Sequence, residues 1–165
     1  MNSKLSMFEK VQEFNKTFSS PTYDKYTTTI WDDTKLITLR KDLINEEVQE
    51  LNEAIKNKDI TETMDALADI LVVTLGAFDA LGINGDKVFD EVHSSNMSKL
   101  CNTIQEAQDS VEWYKKYKLD IYPEPEYRKA DSGRGYVIYN KSSGKVLKNI
   151  NWKEPNLKNI NNFIK

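Results

Sequence analysis

Met64-Asp65-Ala66-Leu67-Ala68-Asp69-Ile70-Leu71-Val72-Val73-Thr74-Leu75-Gly76-Ala77-Phe78-Asp79-Ala80-Leu81 decides how this chain folds. It carries no proline and is apolar nearly all round, the pattern of a helix set in the middle of a bundle. The helix is expected from about Thr61 to Leu81, closed by Gly82 as a residue just past its C-terminus. Two acids, Asp65 and Asp69, sit four apart inside this run and share one helix face. An ionised Asp69 without a partner would cost several kcal/mol in such surroundings.

Upstream, Ile37, Ile44, Val48, Leu51 and Ile55 follow the helical period over about Lys35 to Lys56. Asp32, Asp33 and Thr34 supply its N-cap and first-turn acids, and Lys56-Asn57-Lys58 its C-terminal cations. Asp59 caps the next helix almost at once, so the two helices are expected to be antiparallel neighbours. Leu5, Phe8, Val11, Phe14 and Phe18 form one face of a first helix, and Ser19-Ser20-Pro21 opens the loop that follows.

Downstream, a fourth helix is expected from Asp86 to about Leu100, with Val88, Phe89, Val92 and Met97 turned inward. Thr103 caps a fifth helix running to about Lys118 with Ala107, Val111 and Tyr114 on its apolar side. Beyond Tyr122-Pro123-Glu124-Pro125, the runs 136–139 and 145–148 flank Asn140-Lys141-Ser142-Ser143-Gly144 and read as a β-hairpin. Residues 126–129 are available as a third strand, and Trp152, Leu157, Ile160 and Phe163 as docking points of an Asn-rich tail. The expectation is a mainly α protein: a bundle over residues 1–118, then a small β-hairpin or three-stranded meander with a docking tail over 119–165.

Composition narrows the classes. With 165 residues, 39% hydrophobic and 30% charged, the chain is expected to fold as an ordinary domain with a real core. The apolar stretch Ile70–Ala80 is about half the ~20 residues a bilayer span requires, so no membrane partner is expected. No apolar stretch follows Met1-Asn2-Ser3-Lys4, so no signal peptide is expected. Cys101 is the only cysteine, which rules out an intramolecular disulfide and fits a reducing, cytoplasmic location. Residues 1–100 hold 11 Lys/Arg against 18 Asp/Glu, and residues 101–165 hold 12 against 8. No interleaved Arg/aromatic module accompanies that basic half, so no nucleic-acid partner is expected.

The chemistry concentrates in Glu46-Glu47-x-x-Glu50 on the second helix and Asp65-x-x-x-Asp69 on the third. Glu47 and Glu50 project from one face, and antiparallel pairing would bring them to the two aspartates. Carboxylates grouped in this way suit Mg²⁺, which takes hard oxygen ligands, waters and substrate phosphates. The competing readings are a solvated Glu-rich face and, for Asp69, a salt bridge to another helix. Asn96 and Lys99, three apart on the fourth helix, offer an amide and a cation to a phosphate or base edge. His93 and Cys101 match no nucleophilic triad.

Taken in order, Leu39-Arg40, Leu43-Ile44, Glu46-Glu47-x-x-Glu50-Leu51, Asp65-Ala66-Leu67-Ala68-Asp69-Ile70-Leu71 and Glu91-Val92-His93-x-Ser95-Asn96-Met97-Ser98-Lys99 form a series. Gly144-Lys145-Val146-Leu147-Lys148, Asn151-Trp152 and Pro155-Asn156-Leu157 complete it. The series resembles the phosphoribosyl-ATP pyrophosphohydrolase-like branch of the all-α NTP pyrophosphatases, the superfamily of MazG and the dimeric dUTPases. The resemblance covers about Phe8 to Leu157 and implies the all-α pyrophosphatase bundle of about five helices.

It also implies Mg²⁺-dependent hydrolysis of a nucleoside triphosphate to the monophosphate and pyrophosphate, with Mn²⁺ as a substitute. By position, Glu47, Glu50 and Asp69 become metal ligands and Glu46 the group that orients or deprotonates water. Asn96 and Lys99 would meet the nucleotide, with Lys99 also stabilising phosphate oxygens in the reaction. Arg40 is either a phosphate contact or a structural partner of the acids. The superfamily's usual E-x-x-D has Ala66 in place of its glutamate here. Asp65 stands in as fourth ligand, with Glu62 in reserve. The insertion at about 102–132 is a lid, an oligomer contact or decoration. A homodimer or homotetramer is implied. The alternatives are phosphoribosyl-ATP hydrolysis and a catalytically inactive nucleotide-binding or scaffold protein.

Overall fold

Five α-helices and a two-stranded antiparallel sheet are the main elements of the described residues, so the protein is mainly α. This computed structural model describes residues 4–165; Met1–Ser3, where the absence of a leader was read, lie outside the described residues. The helices are α1 (Met7–Thr17), α2 (Thr34–Asn57), α3 (Ile60–Ala80), α4 (Gly85–Met97) and α5 (Ile104–Tyr117). The strands are β1 (Pro125–Lys129) and β2 (Tyr136–Asn140). Two compact units divide the chain: Met1–Phe89 with Lys158–Lys165, and Asp90–Leu157. Among the described residues no helix is long and apolar enough to cross a membrane.

The helix limits follow from local chemistry. Ser6 and Glu9 form a reciprocal capping box at α1. Asp33 accepts from the Leu36 amide at the start of α2, and Asp59 accepts from Thr61 and Glu62 at the start of α3. Lys58, in a left-handed conformation at φ 57°, ends α2, so the chain reverses within two residues and α2 and α3 lie antiparallel. Gly82 (φ +70°) closes α3, and a Cβ there would fall 2.3 Å from the Lys25 carbonyl carbon, so only glycine fits.

In the first unit α3 packs principally on α2 and α1, and Phe8, Val11, Ile30, Leu36, Ala54, Ala66, Ala80 and Phe163 are buried. Asp79, 3% exposed, ties this unit together. Its carboxylate accepts from Gln12 Nε2 (3.1 Å), Asn15 Nδ2 (2.8 Å) and Lys165 Nζ (2.8 Å). Burial pushes its pKa up, but the bonds from Lys165, Asn15 and Gln12 outweigh that and hold it below the ordinary carboxylate value.

The expected placement of α3 is corrected. Met64, Leu67, Leu71 and Val72 are exposed, because helices cover only part of its circumference. Phe14 on α1 and Phe18 at its C-cap, expected on an apolar face, and Phe89 and Met97 on α4, expected to turn inward, are exposed.

In the second unit Cys101, Ala107, Val111, Tyr114, Ile138 and Leu147 form the core, with Tyr122, Tyr127 and Tyr136 against it. β1 pairs with β2 in the register Pro125↔Asn140 to Lys129↔Tyr136. The hairpin expected between 136–139 and 145–148 forms only in part: Leu147 N donates to the Ile138 carbonyl and Asn140 N to that of Lys145 around the bridge Tyr139↔Val146, while 126–129, expected as a possible third strand, supplies the full partner strand. The pairing goes no further because Cys101 exchanges both backbone hydrogen bonds with Tyr136 and so occupies the rest of that edge; beyond it Lys148 N donates to Tyr114 Oη and Ile150 N to Ser110 Oγ on α5.

Candidate active site

The antiparallel register of α2 and α3 is visible at several points along the pair. Arg40 lies across from Gly76, where an added Cβ would stand 3.4 Å from the guanidinium Nη1. Glu50, Glu53, Ala54 and Asn57 of α2 line one cavity of about 370 Å³ with Glu62, Asp65 and Ala66 of α3 and with Asp59. Between these points Glu47 meets the acids of α3. Of the sequence-predicted acids, Glu46, Glu50 and Asp65 are exposed, whereas Glu47 and Asp69 are half-buried.

Glu47 is the electrostatic centre. Burial, followed by the charges of Glu50, Asp69, Glu46 and Asp65, raises its pKa above the ordinary value. Its Oε2 is buried and has no hydrogen-bond partner. A buried carboxylate oxygen without a donor is costly in itself, and neighbouring negative charges add to that cost. All five predicted acids of the pair therefore converge on one electrostatic neighbourhood, although no group of three or more His, Cys, Asp or Glu side chains among the described residues is arranged to hold a metal ion. The donor set nonetheless fits a hard divalent cation, which takes carboxylate oxygens and retains waters.

Arg40 is turned elsewhere. Its Nη2 donates to the Pro21 carbonyl at 3.3 Å and its Nε is buried without a partner. Burial lowers its pKa, and the charge opposing that shift is Asp79, not an acid of the Glu47 group. Gly76 leaves the space its guanidinium occupies.

Asn96 and Lys99 belong to the second unit. Lys99 Nζ donates to Asn96 Oδ1 at 2.8 Å, joining the last turn of α4 to the residues just after it. The cation thus meets a neutral amide in place of a carboxylate.

Sequence reading missed the extent of the acidic cavity. Glu53 and Asn57 continue the three- and four-residue spacing from Glu50, a signal that was present, and Glu62 lines the same cavity. Asp59 was legible only as a helix cap, because its side chain does satisfy two amides of α3.

Comparison with known proteins accords with this geometry. An uncharacterized protein of Acanthamoeba polyphaga mimivirus is 28% identical, over 96% of this chain and 97% of the relative. The family model described as phosphoribosyl-ATP pyrophosphohydrolase matches residues 11–96, just over half of the chain and the part that carries all the predicted acids and, at its end, the amide of Asn96. With that much of its length matched, and a paired-helix acid group at its centre, the chain belongs to the phosphoribosyl-ATP pyrophosphohydrolase family, within the MazG-like all-α NTP pyrophosphatases, and is a pyrophosphohydrolase by family.

Proposed function

We propose that this protein is a Mg²⁺-dependent nucleoside triphosphate pyrophosphohydrolase, converting a (d)NTP and water to the (d)NMP and pyrophosphate. The observation that carries the reading is the unpartnered, buried Oε2 of Glu47 among four other carboxylates. Such an arrangement is unfavourable for the protein alone and is relieved by a cation. Glu47, Glu50, Asp65 and Asp69 would hold the ion, with Mn²⁺ able to replace Mg²⁺. When bound, it supplies positive charge that offsets the triphosphate and the departing pyrophosphate.

The chain's own residues do the rest. Glu46, exposed and next to Glu47 in the chain, would accept the proton of the attacking water. As water's oxygen bonds to the α-phosphorus, the α–β anhydride bond breaks and pyrophosphate takes the electron pair. Asn96 and Lys99 serve as nucleotide contacts, Lys99 offsetting phosphate charge. Arg40 acts as a structural partner of α3, held near Asp79 and against Gly76.

The exposed apolar residues of the helix pair, Val48 and Ile55 on α2 with Met64, Leu67 and Leu71 on α3, support a homodimer or homotetramer in which a second copy covers them. The description of the matching family model favours phosphoribosyl-ATP as the other substrate to test.

Pyrophosphate release from a panel of dNTPs, NTPs and phosphoribosyl-ATP, with Mg²⁺ and with EDTA, tests the reading. Release that needs the metal and is lost in Glu47→Ala is the expected result. No release from any nucleoside triphosphate by the folded protein would refute it. Turnover of phosphoribosyl-ATP alone would assign the second substrate.

A further inference from the structure

We propose that Arg128, on β1 within the inserted stretch, is a nucleotide-contact residue. With Asn96 and Lys99 it forms a site in the second unit for the phosphate-bearing end of a nucleoside monophosphate. The ligand's identity as a nucleotide rests on the pyrophosphohydrolase reading; the cavity itself does not.

Asn96, Lys99 and Arg128 line one cavity of about 210 Å³, walled otherwise by Met97, Leu100, Val137 and Val146. Its volume is below the ~300–1,000 Å³ of sites that take whole drug-sized ligands, so it suits one part of a nucleotide. Apolar walls with a few polar groups are the ordinary make-up of a ligand site. The polar groups here are selective: an ammonium with three donors, a guanidinium with a five-donor fork, and one amide. No carboxylate lines it. That composition excludes a cation and favours a phosphate, with the apolar walls against the sugar or base.

The sheet register explains how the inserted strand reaches this place. Arg128 pairs with Val137, so the two side chains share one face of the sheet. Tyr139, two residues on, lies on that same face, and the Arg128 guanidinium carbon stands 5.9 Å from its ring centroid. The bridge Tyr139↔Val146 brings the last wall residue alongside.

Both cations are available to an anion. Lys99 Nζ bonds the neutral Asn96. Arg128 Nη1 pairs with Asp131 Oδ1 at 2.8 Å, but that carboxylate is 89% exposed, so water can take its place at little cost. A guanidinium beside a phosphate forms the stronger, bidentate contact.

The experiment is calorimetric titration of the full chain in EDTA with dAMP, dCMP, dGMP, dTMP and inorganic phosphate. Wild type is compared with Arg128→Gln, Lys99→Gln and, as a charge control on the loop that follows β1, Arg134→Gln. Methyl shifts of Val137 and Val146 are followed by NMR. Expected is binding of at least one monophosphate that shifts both valines. Arg128→Gln and Lys99→Gln should each weaken it on the order of tenfold or more, with the control unchanged.

Monophosphate binding that is absent, or unaltered in a folded Arg128→Gln, would overturn the proposal. So would inorganic phosphate binding as tightly as every monophosphate, which would make this a site for free phosphate. Because no metal and no turnover are involved, the result stands apart from the hydrolysis assay. Arg128-dependent binding without pyrophosphate release would sink the enzyme reading and leave this site intact.

Discussion

Replacing Glu47 with Gln preserves the shape of the side chain and removes one negative charge from the centre of the acid group. Its pKa is raised by burial and by Glu50, Asp69, Glu46 and Asp65. Between its unfolded and folded pKa values the native state holds more proton than the unfolded chain. The contribution to stability is therefore present below the ordinary carboxylate pKa and is lost as pH rises through the folded value. At neutral pH the ionised group opposes folding. A like-charge neighbour on adjacent helix positions costs about 0.2–0.5 kcal/mol. Glu50 is such a neighbour, and with Glu46 and the two aspartates of α3 around a half-exposed, solvent-screened side chain the total is roughly 1 kcal/mol. For a chain of this size that corresponds to about 2–4 °C in melting temperature.

Thermal unfolding followed by circular dichroism, in EDTA and at low ionic strength, reads this difference. Glu47→Gln should melt above wild type near neutral pH. The gap should close in acid, where wild-type Glu47 is already protonated, and shrink with added salt. Adding Mg²⁺ should reverse the order, since an ion bound only by the folded wild type raises its stability through mass action. A variant less stable than wild type at neutral pH in EDTA would refute the like-charge account. Equal Mg²⁺ stabilisation of both proteins would refute Glu47 as a ligand.

Two further outcomes concern the scaffold. Asp79→Asn should destabilise the protein by about 3 kcal/mol in urea melts, because Lys165 Nζ loses its charge partner in a largely buried place. Asp79 is held below the ordinary carboxylate pKa, so its contribution is present above the unfolded pKa and is lost as pH falls through the folded one; wild type should show that acid limb and the variant should not. The Cys101 thiol, pushed up to about 11 chiefly by burial, should resist a disulfide reagent at neutral pH in the native protein and react at once in denaturant.

The helices were legible because each limit has a local cause. Asp33, Asp59, Thr103 and Gly82 act on their own neighbours, and the spacing of apolar residues is a property of the segment alone. The acid pairs were legible for the same reason, since a tight reversal at Lys58 leaves α2 and α3 little choice but to run antiparallel. What failed was non-local. An apolar α3 was expected to be surrounded, yet periodicity says which faces are apolar and nothing about how many partners arrive to cover them. The pairing of 145–148 with β2 is cut short because Cys101 exchanges both backbone hydrogen bonds with Tyr136 and takes the rest of that edge. No pattern within 136–148 announces that competition.

Ala66 shows why a departure from a motif has to be read in three dimensions. In the sequence it is a missing glutamate. In the structure it is 3% exposed on the seam of the helix pair and lines the same cavity as Glu50 and Asp65. A glutamate there would add a carboxylate to the buried side of a group whose central member, Glu47, already lacks a hydrogen-bond donor for one oxygen. Asp65, one residue earlier, is exposed and keeps its charge hydrated while remaining close enough to raise the Glu47 pKa. The substitution thus moves the fourth carboxylate from the seam to the rim without removing it from the field. The shift lowers the cost of holding the helix pair together in the absence of a cation, and, were Asp65 the proposed fourth ligand, it would leave more of that coordination to water. On the proposed reading of this acid group as a cation site, the departure would tune how the ion is held and would not abolish the site.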